Sequence, residues 1–458
     1  MGRLPVGVAD ARRGRRRGLI SAERHPANLP RRRAMASNRR RNDHTEGVSR
    51  TRRRSTPWLV TAVGGDAIAY RDAFVALFVA VIASLVAGIT LATTTDTLEE
   101  LPGLLLLVPA ALAVKGNIFG ALGSRLGTSI HTGVFQLSPR LDTVVGQNTA
   151  AALILSLVVS VELALLAKGV AIVFNVSPTM STVDFITVSA VGGAIASLVV
   201  LGITLVMASG SVRFGWDLDN VVAPLVTATG DVITLPALVW AAALTGRGGI
   251  SGSIAVVVSI VSIIGVGWSL RTDHTILRTV MQESLPILTV AGILDLIAGI
   301  TIEKRLEDFV EFPVLLILLP GFLGTAGALG GVLSSRLATK VHLGLVRPGA
   351  LPRGQAGSDI VMIFTLCIPI FAVAGVVAEF GGLITGQASP GLWQMIAVAV
   401  LGGLLASLAV VIVAFYSTVV AIRFGLDPDT YGIPMVTSSL DFVGAFTLIL
   451  ALVAVGVA

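Results

Sequence analysis

Eleven apolar segments follow one another along this chain of 458 residues. A membrane-spanning helix needs about 20 predominantly apolar residues. The segments cover residues 71–93, 103–122, 147–174, 184–208, 221–245, 251–270, 284–303, 312–333, 359–383, 391–416 and 430–457. Only 13% of the residues are charged, whereas a soluble domain carries roughly 25%. The sequence therefore predicts an all-α polytopic membrane protein with about eleven transmembrane helices.

The first five and the last five segments repeat each other. "LVAGIT" at 85–90 matches "LIAGIT" at 296–301. "VRFGWDLDNVVAPLVTATGD" at 212–231 matches "IRFGLDPDTYGIPMVTSSLD" at 422–441. Self-similarity at a constant offset indicates two related five-helix halves that arose by duplication.

One apolar segment, 251–270, has no counterpart in the repeat. Five spans alone would invert the second half relative to the first, and a linker span between the halves restores a common orientation. Without that span, the loop 334–358 with its four cationic residues would lie outside, against the positive-inside rule. The halves are therefore expected to be parallel and related by a pseudo-twofold axis along the membrane normal.

The N-terminal segment has a composition unlike the rest of the chain. Residues 1–54 hold 17 arginines, no lysine and four acidic residues, and are expected to be disordered. Such a tail is either simply solvated in the cytoplasm or bound to anionic lipid headgroups. Nucleic-acid binding is not expected, because no folded module or interleaved aromatic residues accompany the charge.

The repeat and the tail together predict the domain organisation. We expect a cytoplasmic arginine-rich tail, a first five-helix repeat, a linker transmembrane helix and a second five-helix repeat, at residues 1–57, 70–246, 250–271 and 278–458. With the tail inside and eleven spans, this multi-pass protein of the cell membrane would have its C-terminus outside.

Ionisable residues inside the apolar segments need a physical reason, because each costs roughly 2.5–3.5 kcal/mol on insertion scales. The candidates are Lys115, Glu162, Lys168, Asp231, Asp295, Glu379 and Asp441. Only Asp231 and Asp441 occupy equivalent positions in the two halves. Parallel halves would place these two carboxylates at one membrane depth, facing each other across the axis.

Other oxygen donors accompany the two aspartates. Thr227 and Thr437 each lie four residues before an aspartate, on the same helix face. Pro224 and Pro434 lie about one turn earlier, where a proline is expected to free a backbone carbonyl. Such hard oxygen donors favour Mg²⁺ before Ca²⁺ or Mn²⁺, held through its hydration shell. The alternative is that each aspartate only makes a hydrogen bond between helices.

Further residues are candidates for the same path. Asn117 offers an amide oxygen, but its counterpart in the second half is Ala328. Asp219 and Asp429 precede the fifth helices, where they would cap the helix N-termini and concentrate cations at the mouth of the path. Asp295 is expected to be a lone intramembrane acid, whose counterpart is Ser84.

The remaining intramembrane charges suggest a structural pair. Glu162 and Lys168 lie close together in the third apolar segment. An ion pair between them is the structural alternative to a functional role for Glu162.

Two motifs resemble those of a known family. "VPAALAVKGNIFGALGSRLGT" at 108–128 and the "GLDP…P…T…D…G" pattern of 425–444 resemble the MgtE family of magnesium channels. The tandem arrangement is similar to the duplicated relatives of solute carrier family 41, and the resemblance covers roughly 70–455. It implies Mg²⁺ permeation between two five-helix units, with Asp231, Asp441 and Asn117 lining the path.

These observations predict a transporter of divalent cations, Mg²⁺ foremost, with no permanently bound cofactor. The chain is expected to act as a monomeric pseudo-dimer. Two alternatives stay open: a Na⁺- or H⁺-coupled exchanger that uses Asp295, and a non-transporting membrane sensor or scaffold. An enzyme is not expected, because the sequence has no triad spacing, phosphate loop or clustered metal ligands.

The predicted topology can be tested directly. A reporter that is active only outside the cytoplasm, fused after Ala458, should be active in cells, because eleven crossings place that residue outside. The same reporter placed after Arg271, at the end of the linker span, should be inactive. Activity after Arg271 together with inactivity after Ala458 would contradict the eleven-span topology.

Overall fold

The computed structural model describes residues 67–214, 218–246, 249–342, 345, 355–423 and 432–457. The predicted tail, 1–57, lies outside these residues. Within the described ranges the chain is helical, and it has no β-strand. The predicted all-α fold is therefore confirmed.

Thirteen helices are described, and they repeat as two series of six with one helix between them. The first series is α1 (Ala67–Ala92), α2 (Thr95–Glu100), α3 (Leu104–His131), α4 (Val144–Val173), α5 (Thr182–Phe214) and α6 (Leu218–Ala242). The helix between the series is α7 (Gly249–Arg271). The second series is α8 (Thr275–Glu303), α9 (Leu306–Glu311), α10 (Val314–His342), α11 (Gln355–Thr385), α12 (Leu392–Arg423) and α13 (Ile433–Val455).

The number of long helices agrees with the sequence prediction. Ten of the described helices are long and apolar enough to cross a membrane, and α6 adds a shorter apolar stretch, Val226–Ala242. Helix α7 is one of the ten, so six long helices separate the start of α1 from the start of α8. An even number of crossings gives the two halves the same direction. The six-residue helices α2 and α9 occupy equivalent positions and were not predicted.

The apolar surface of α7 shows why a span can join the halves without belonging to either. This helix packs against α4, α5 and α8 along one side only. Its large side chains Val256, Ile260, Ile263 and Ile264 are more than half exposed. In a bilayer this surface faces lipid tails, which solvate such side chains as well as protein does.

The first long helix of each half packs against the opposite half. Helix α1 contacts α10 and α11 of the second half, and α8 contacts α3 and α4 of the first. Each also contacts the fifth long helix of its own half, α6 or α13. The sequence did not predict this exchange. It joins the two halves through interlocked helices rather than through two flat faces.

Glycines allow the exchanged helices to approach closely. A Cβ atom added at Gly88 of α1 would lie 2.3 Å from the carbonyl oxygen of Ile317 in α10. A Cβ atom at Gly299 of α8 would lie 2.1 Å from the carbonyl oxygen of Leu106 in α3. Gly88 and Gly299 are equivalent positions of the repeat, and so are Leu106 and Ile317. Each half therefore makes the same backbone contact, as small residues at membrane helix interfaces commonly do.

The exchange also positions a helix start. Glu303 Oε1, at the end of α8, accepts a hydrogen bond of 2.7 Å from the backbone amide of Gly103, the residue before α3. The carboxylate thereby satisfies an amide at a helix N-terminus, where negative charge is favoured. Gly103 has a φ of 94°, which a side chain would strain. The counterpart of Glu303 is Ala92, so this contact exists on one side only.

The glycine contacts predict a selective effect on stability. Gly88→Val and Gly299→Val should each lower the free energy of unfolding by about 1–3 kcal/mol, because the new side chain forces two backbones apart. Thermal unfolding of the purified protein in detergent measures the change. Gly202→Val is the matched control, since a Cβ atom there meets nothing within 4 Å. Equal losses at Gly88 and Gly202 would contradict the proposed importance of close approach.

Candidate cation site

Asp231 lies in α6 where both halves meet. It is buried, and its Oδ2 accepts a hydrogen bond of 3.3 Å from Ser84 Oγ of α1. A Cβ atom added at Gly324 of α10 would lie 3.9 Å from the same oxygen. The surroundings of this carboxylate thus include α1 of its own half and α10, the second long helix of the other half.

Asp441 lies at the equivalent place in α13, and it is also buried. Its Oδ1 is 3.9 Å from the position that a Cβ atom would take on Gly327 of α10. The carboxyl groups of Asp441 and Asp231 are close enough to interact electrostatically. The structure therefore brings together the two aspartates that the repeat singled out.

Asp295 of α8 joins them, which the sequence did not predict. It is fully buried, and its Oδ2 accepts a hydrogen bond of 3.0 Å from Ser438 Oγ of α13. Its carboxyl group lies within hydrogen-bonding and electrostatic range of Asp441. The prediction of a lone intramembrane acid is wrong, because the packing of α8 against α13 places the two carboxyl groups side by side.

The two threonines occupy equivalent positions next to glycines. Thr227 Oγ1 is 3.4 Å from the position of a Cβ atom on Gly116, and Thr437 Cβ is 3.7 Å from that on Gly327. Thr227 is exposed, whereas Thr437 is partly buried. Their hydroxyl groups lie one turn from the aspartates, as the i, i+4 spacing requires.

Asn117 connects the halves on one side. Its Oδ1 accepts a hydrogen bond of 3.4 Å from Thr437 Oγ1, so α3 of the first half contacts α13 of the second. Its buried Nδ2 has no hydrogen-bond partner among the described residues. Ala328, the counterpart of Asn117, offers no such contact to Thr227. The polar lining of the interface is therefore unequal.

Some predicted site features differ or fall outside the described residues. Pro434 lies in the first turn of α13, where it removes no hydrogen bond of the helix interior, so the predicted freed carbonyl is absent there. Helix α6 starts at Leu218, so Asp219 lies within the first turn rather than before it. The side chains of Asp219 and Pro224, and Asp429 entirely, lie outside the described residues.

The expected ion pair between Glu162 and Lys168 is also wrong. Glu162 Oε1 accepts a hydrogen bond of 2.7 Å from Thr289 Oγ1 of α8. Lys168 Nζ instead donates to Thr179 Oγ1 at 2.8 Å and to the carbonyl of Met180 at 3.0 Å. Each charge thus has a polar partner on another segment of the chain.

The donor set fits a hydrated cation better than a bare one. In the described part of the chain, no three histidine, cysteine or acidic side chains converge closely enough to ligate one metal ion directly. Carboxylate, hydroxyl and amide oxygens are nevertheless clustered around Asp231 and Asp441. Such groups can accept hydrogen bonds from the water shell of a small divalent cation, which loses its water reluctantly.

A second polar cluster lies behind the site in the first half only. Lys115 of α3 is fully buried, and its Nζ donates to Ser156 Oγ at 2.5 Å and to Ser197 Oγ at 2.9 Å. The two serine hydroxyls also bond to each other. Their counterparts in the second half are Ala326, Cys367 and Ser407. The sequence identified Lys115 as an intramembrane charge but not its partners, which come from α4 and α5.

Ser84 and Ser438 are the site residues that the sequence analysis did not identify as donors. Ser84 was noted only as the counterpart of Asp295. Serine is common in transmembrane helices and leaves no signal of its own. The repeat held a usable signal, because it pairs Ser84 with Asp295 and Ala228 with Ser438. In the second half, an acid takes the place of Ser84 and a serine takes the place of Ala228.

Comparisons with known proteins agree with the sequence resemblance. A family model described as "MgtE: Divalent cation transporter" matches residues 108–241 and 319–451. Solute carrier family 41 member 2 of Xenopus laevis is 26% identical over 383 residues, which are 77% of this chain and 65% of that protein. Member 3 of Mus musculus is 24% identical over 372 residues, 77% of this chain and 75% of its own length.

A solved structure also aligns with the chain. The crystal structure of a eukaryotic MATE transporter covers 84% of this chain and 96% of its own, at 13% identity and a TM-score of 0.27. That score is too low to indicate a common fold.

The Lys115 cluster predicts opposite effects of two substitutions. Lys115→Met should leave the free energy of unfolding unchanged or raise it, since methionine fills a similar volume and the serines keep their mutual bond. The double variant Ser156→Ala, Ser197→Ala should lower it by about 2–3 kcal/mol, because the buried amino group of Lys115 loses both acceptors. Thermal unfolding measures both changes. Ser407→Ala, at the counterpart position without a lysine, is the control, and a larger loss in Lys115→Met than in the double variant would contradict this interpretation.

Proposed function

Because the chain belongs to the MgtE family of divalent cation transporters, we propose that it carries Mg²⁺ across the cell membrane between its two halves. The observation that carries this proposal is the meeting of Asp231 and Asp441 at the interface of the halves, both buried among apolar helices. Two carboxylates match the charge of one divalent cation. An intramembrane acid without a cationic partner is a candidate functional residue by default.

The chemistry of the surrounding donors favours Mg²⁺ among divalent cations. Thr227, Thr437 and Asn117 add neutral oxygen atoms near the aspartates, and no thiolate or imidazole takes part among the described residues. Softer ions such as Zn²⁺ and Cu²⁺ prefer nitrogen and sulfur ligands. Outer-sphere contacts from oxygen acceptors suit a cation that keeps its water shell.

Membrane potential alone can drive the proposed inward flow. Each elementary charge that crosses 100 mV gains about 2.3 kcal/mol, so a divalent cation gains about 4.6 kcal/mol. A cytoplasmic N-terminus and an external C-terminus belong to the same proposal. The competing mechanism is exchange against Na⁺ or H⁺, for which the position of Asp295 beside Asp441 is the supporting observation.

The proposal predicts that both aspartates are needed for transport. Asp231→Asn and Asp441→Asn should each reduce Mg²⁺ uptake into proteoliposomes at least tenfold, because amides of the same shape carry no charge to attract the cation. Glu379→Gln is the control, since this acid accepts a hydrogen bond of 2.5 Å from Ser389 at the end of α11, away from the site. We expect its uptake to stay within about twofold of the wild type.

The same assay separates the alternatives. Unchanged uptake in both aspartate variants would overturn the proposed path. Loss of uptake when a Na⁺ or H⁺ gradient is collapsed at constant membrane potential would indicate the coupled exchanger. The absence of flux for Mg²⁺, Mn²⁺ and Ca²⁺ in the wild type would indicate a sensor or scaffold.

A further inference from the structure

The two halves treat their aspartates differently. In the first half, Asp231 receives a hydrogen bond from the neutral hydroxyl of Ser84. In the second half, the counterpart of Ser84 is Asp295, so Asp441 has a second carboxyl group beside it where Asp231 has a donor. The same helix exchange therefore places a donor on one side of the interface and an additional acid on the other.

Asp295 has an unsatisfied oxygen. Ser438 donates to its Oδ2, but its Oδ1 is buried and has no hydrogen-bond donor among the described residues. Most buried polar atoms have a partner, and the exceptions need an explanation. A bound cation would stabilise the ionised form of two adjacent carboxyl groups, and the free acceptor oxygen gives it a contact.

No described cation of the neighbouring helices balances this pair. The ion pairs among the described residues involve Asp308 and Asp359, not Asp295 or Asp441. The basic side chains on α3 and α4, which pack against α8, have other partners: Lys115 binds Ser156 and Ser197, Arg125 binds Ser284, and Lys168 binds Thr179. A proton shared by the two carboxyl groups, or a mobile cation that displaces it, supplies the counter-charge.

We propose that Asp295 is a third acidic residue of the cation path, and that the divalent cation is held at the Asp295–Asp441 pair of the second half. This inference rests on the proposed function, and it changes the expected geometry. A symmetric path would hold the ion midway between Asp231 and Asp441. Here the two adjacent carboxyl groups, whose shared proton the cation displaces, draw the hydrated cation toward α8 and α13, while Asp231 contributes from the opposite side.

The unequal neutral donors agree with this position. Thr437, one turn from Asp441, lies 3.4 Å from the amide oxygen of Asn117 across the interface, whereas Thr227 has Ala328 where the amide would be. The second-half side of the path thus carries the additional acid and the hydroxyl next to Asn117 together. Both arise at positions where the two halves differ in sequence.

The first experiment compares single variants in Mg²⁺ uptake, with pH and membrane potential held constant. Asp295→Asn should raise the Mg²⁺ concentration for half-maximal uptake about tenfold, because the pair loses one of its two ionisable carboxyl groups. Asp441→Asn should raise it at least fivefold more than Asp231→Asn does. Glu162→Gln, which alters an acid in contact with the same helix α8 through Thr289, is the control, and it should stay within about twofold.

The second experiment moves the acid to the other half. Ser84→Asp with Ala228→Ser supplies the first half with the acid and its donor, and Asp295→Ser with Ser438→Ala removes them from the second. A Cβ atom at Gly321 would lie 3.7 Å from Ser84 Cβ, so a glycine faces this position and leaves room for the longer side chain. In this quadruple variant, Asp231→Asn should raise the Mg²⁺ concentration for half-maximal uptake more than Asp441→Asn does.

The outcomes distinguish the inference from the function on which it rests. Equal effects of Asp231→Asn and Asp441→Asn, with unchanged affinity in Asp295→Asn, would overturn the inference and leave Mg²⁺ transport standing. Uptake that is indifferent to both asparagine variants would overturn the function and the inference together. If the quadruple variant does not fold, the half-maximal Mg²⁺ concentrations of Asp295→Asn, Asp441→Asn and Asp231→Asn decide whether the inference holds. Calorimetric Mg²⁺ binding to each purified variant checks those concentrations.

Discussion

The backbone contacts at Gly88 and Gly299 are the constraint on which the candidate cation site depends. Helices α1 and α8 cross into the opposite half at these glycines, and the same crossings carry Ser84 and Asp295 to the two central aspartates. Inside a bilayer, apolar side chains gain little by leaving lipid for protein, so close packing and hydrogen bonds hold helices together. The glycines supply the close packing, and the serines and acids supply the polar contacts.

Much of the fold could be predicted because it follows from length and repetition. The apolar segments set the number of spans, and the segment without a counterpart set the relative direction of the halves. The exchange of the first helices could not be predicted in this way. Helices such as α1 and α8 are apolar on several sides, so no single stripe of hydrophobic residues identifies the neighbour of each. The partner is decided by the match of a glycine to a particular carbonyl, which only the packed structure reveals.

The candidate site was predictable only in part, because the repeat identifies equivalent positions but not contacts between helices. Comparing equivalent positions identified Asp231 and Asp441, since both halves keep that aspartate. The comparison shows that Asp295 and Ser84 are equivalent positions of the repeat, but it does not predict that Asp295 lies beside Asp441 of α13. The effect of Pro434 was misjudged because the start of α13 was placed too early in the sequence, so that a first-turn proline was assigned to the helix interior. Contacts between different helices were the information that the sequence lacked.

The one-sided cluster of Lys115, Ser156 and Ser197 shows what a fused pair of halves permits. In a homodimer every substitution occurs twice, so a buried lysine on one side of the axis would bring a second lysine on the other. Two such lysines, when protonated, would flank the proposed path and repel a cation. Joining the halves in one polypeptide removes that obligation. One half can carry a buried lysine for its own packing while the other carries an additional acid.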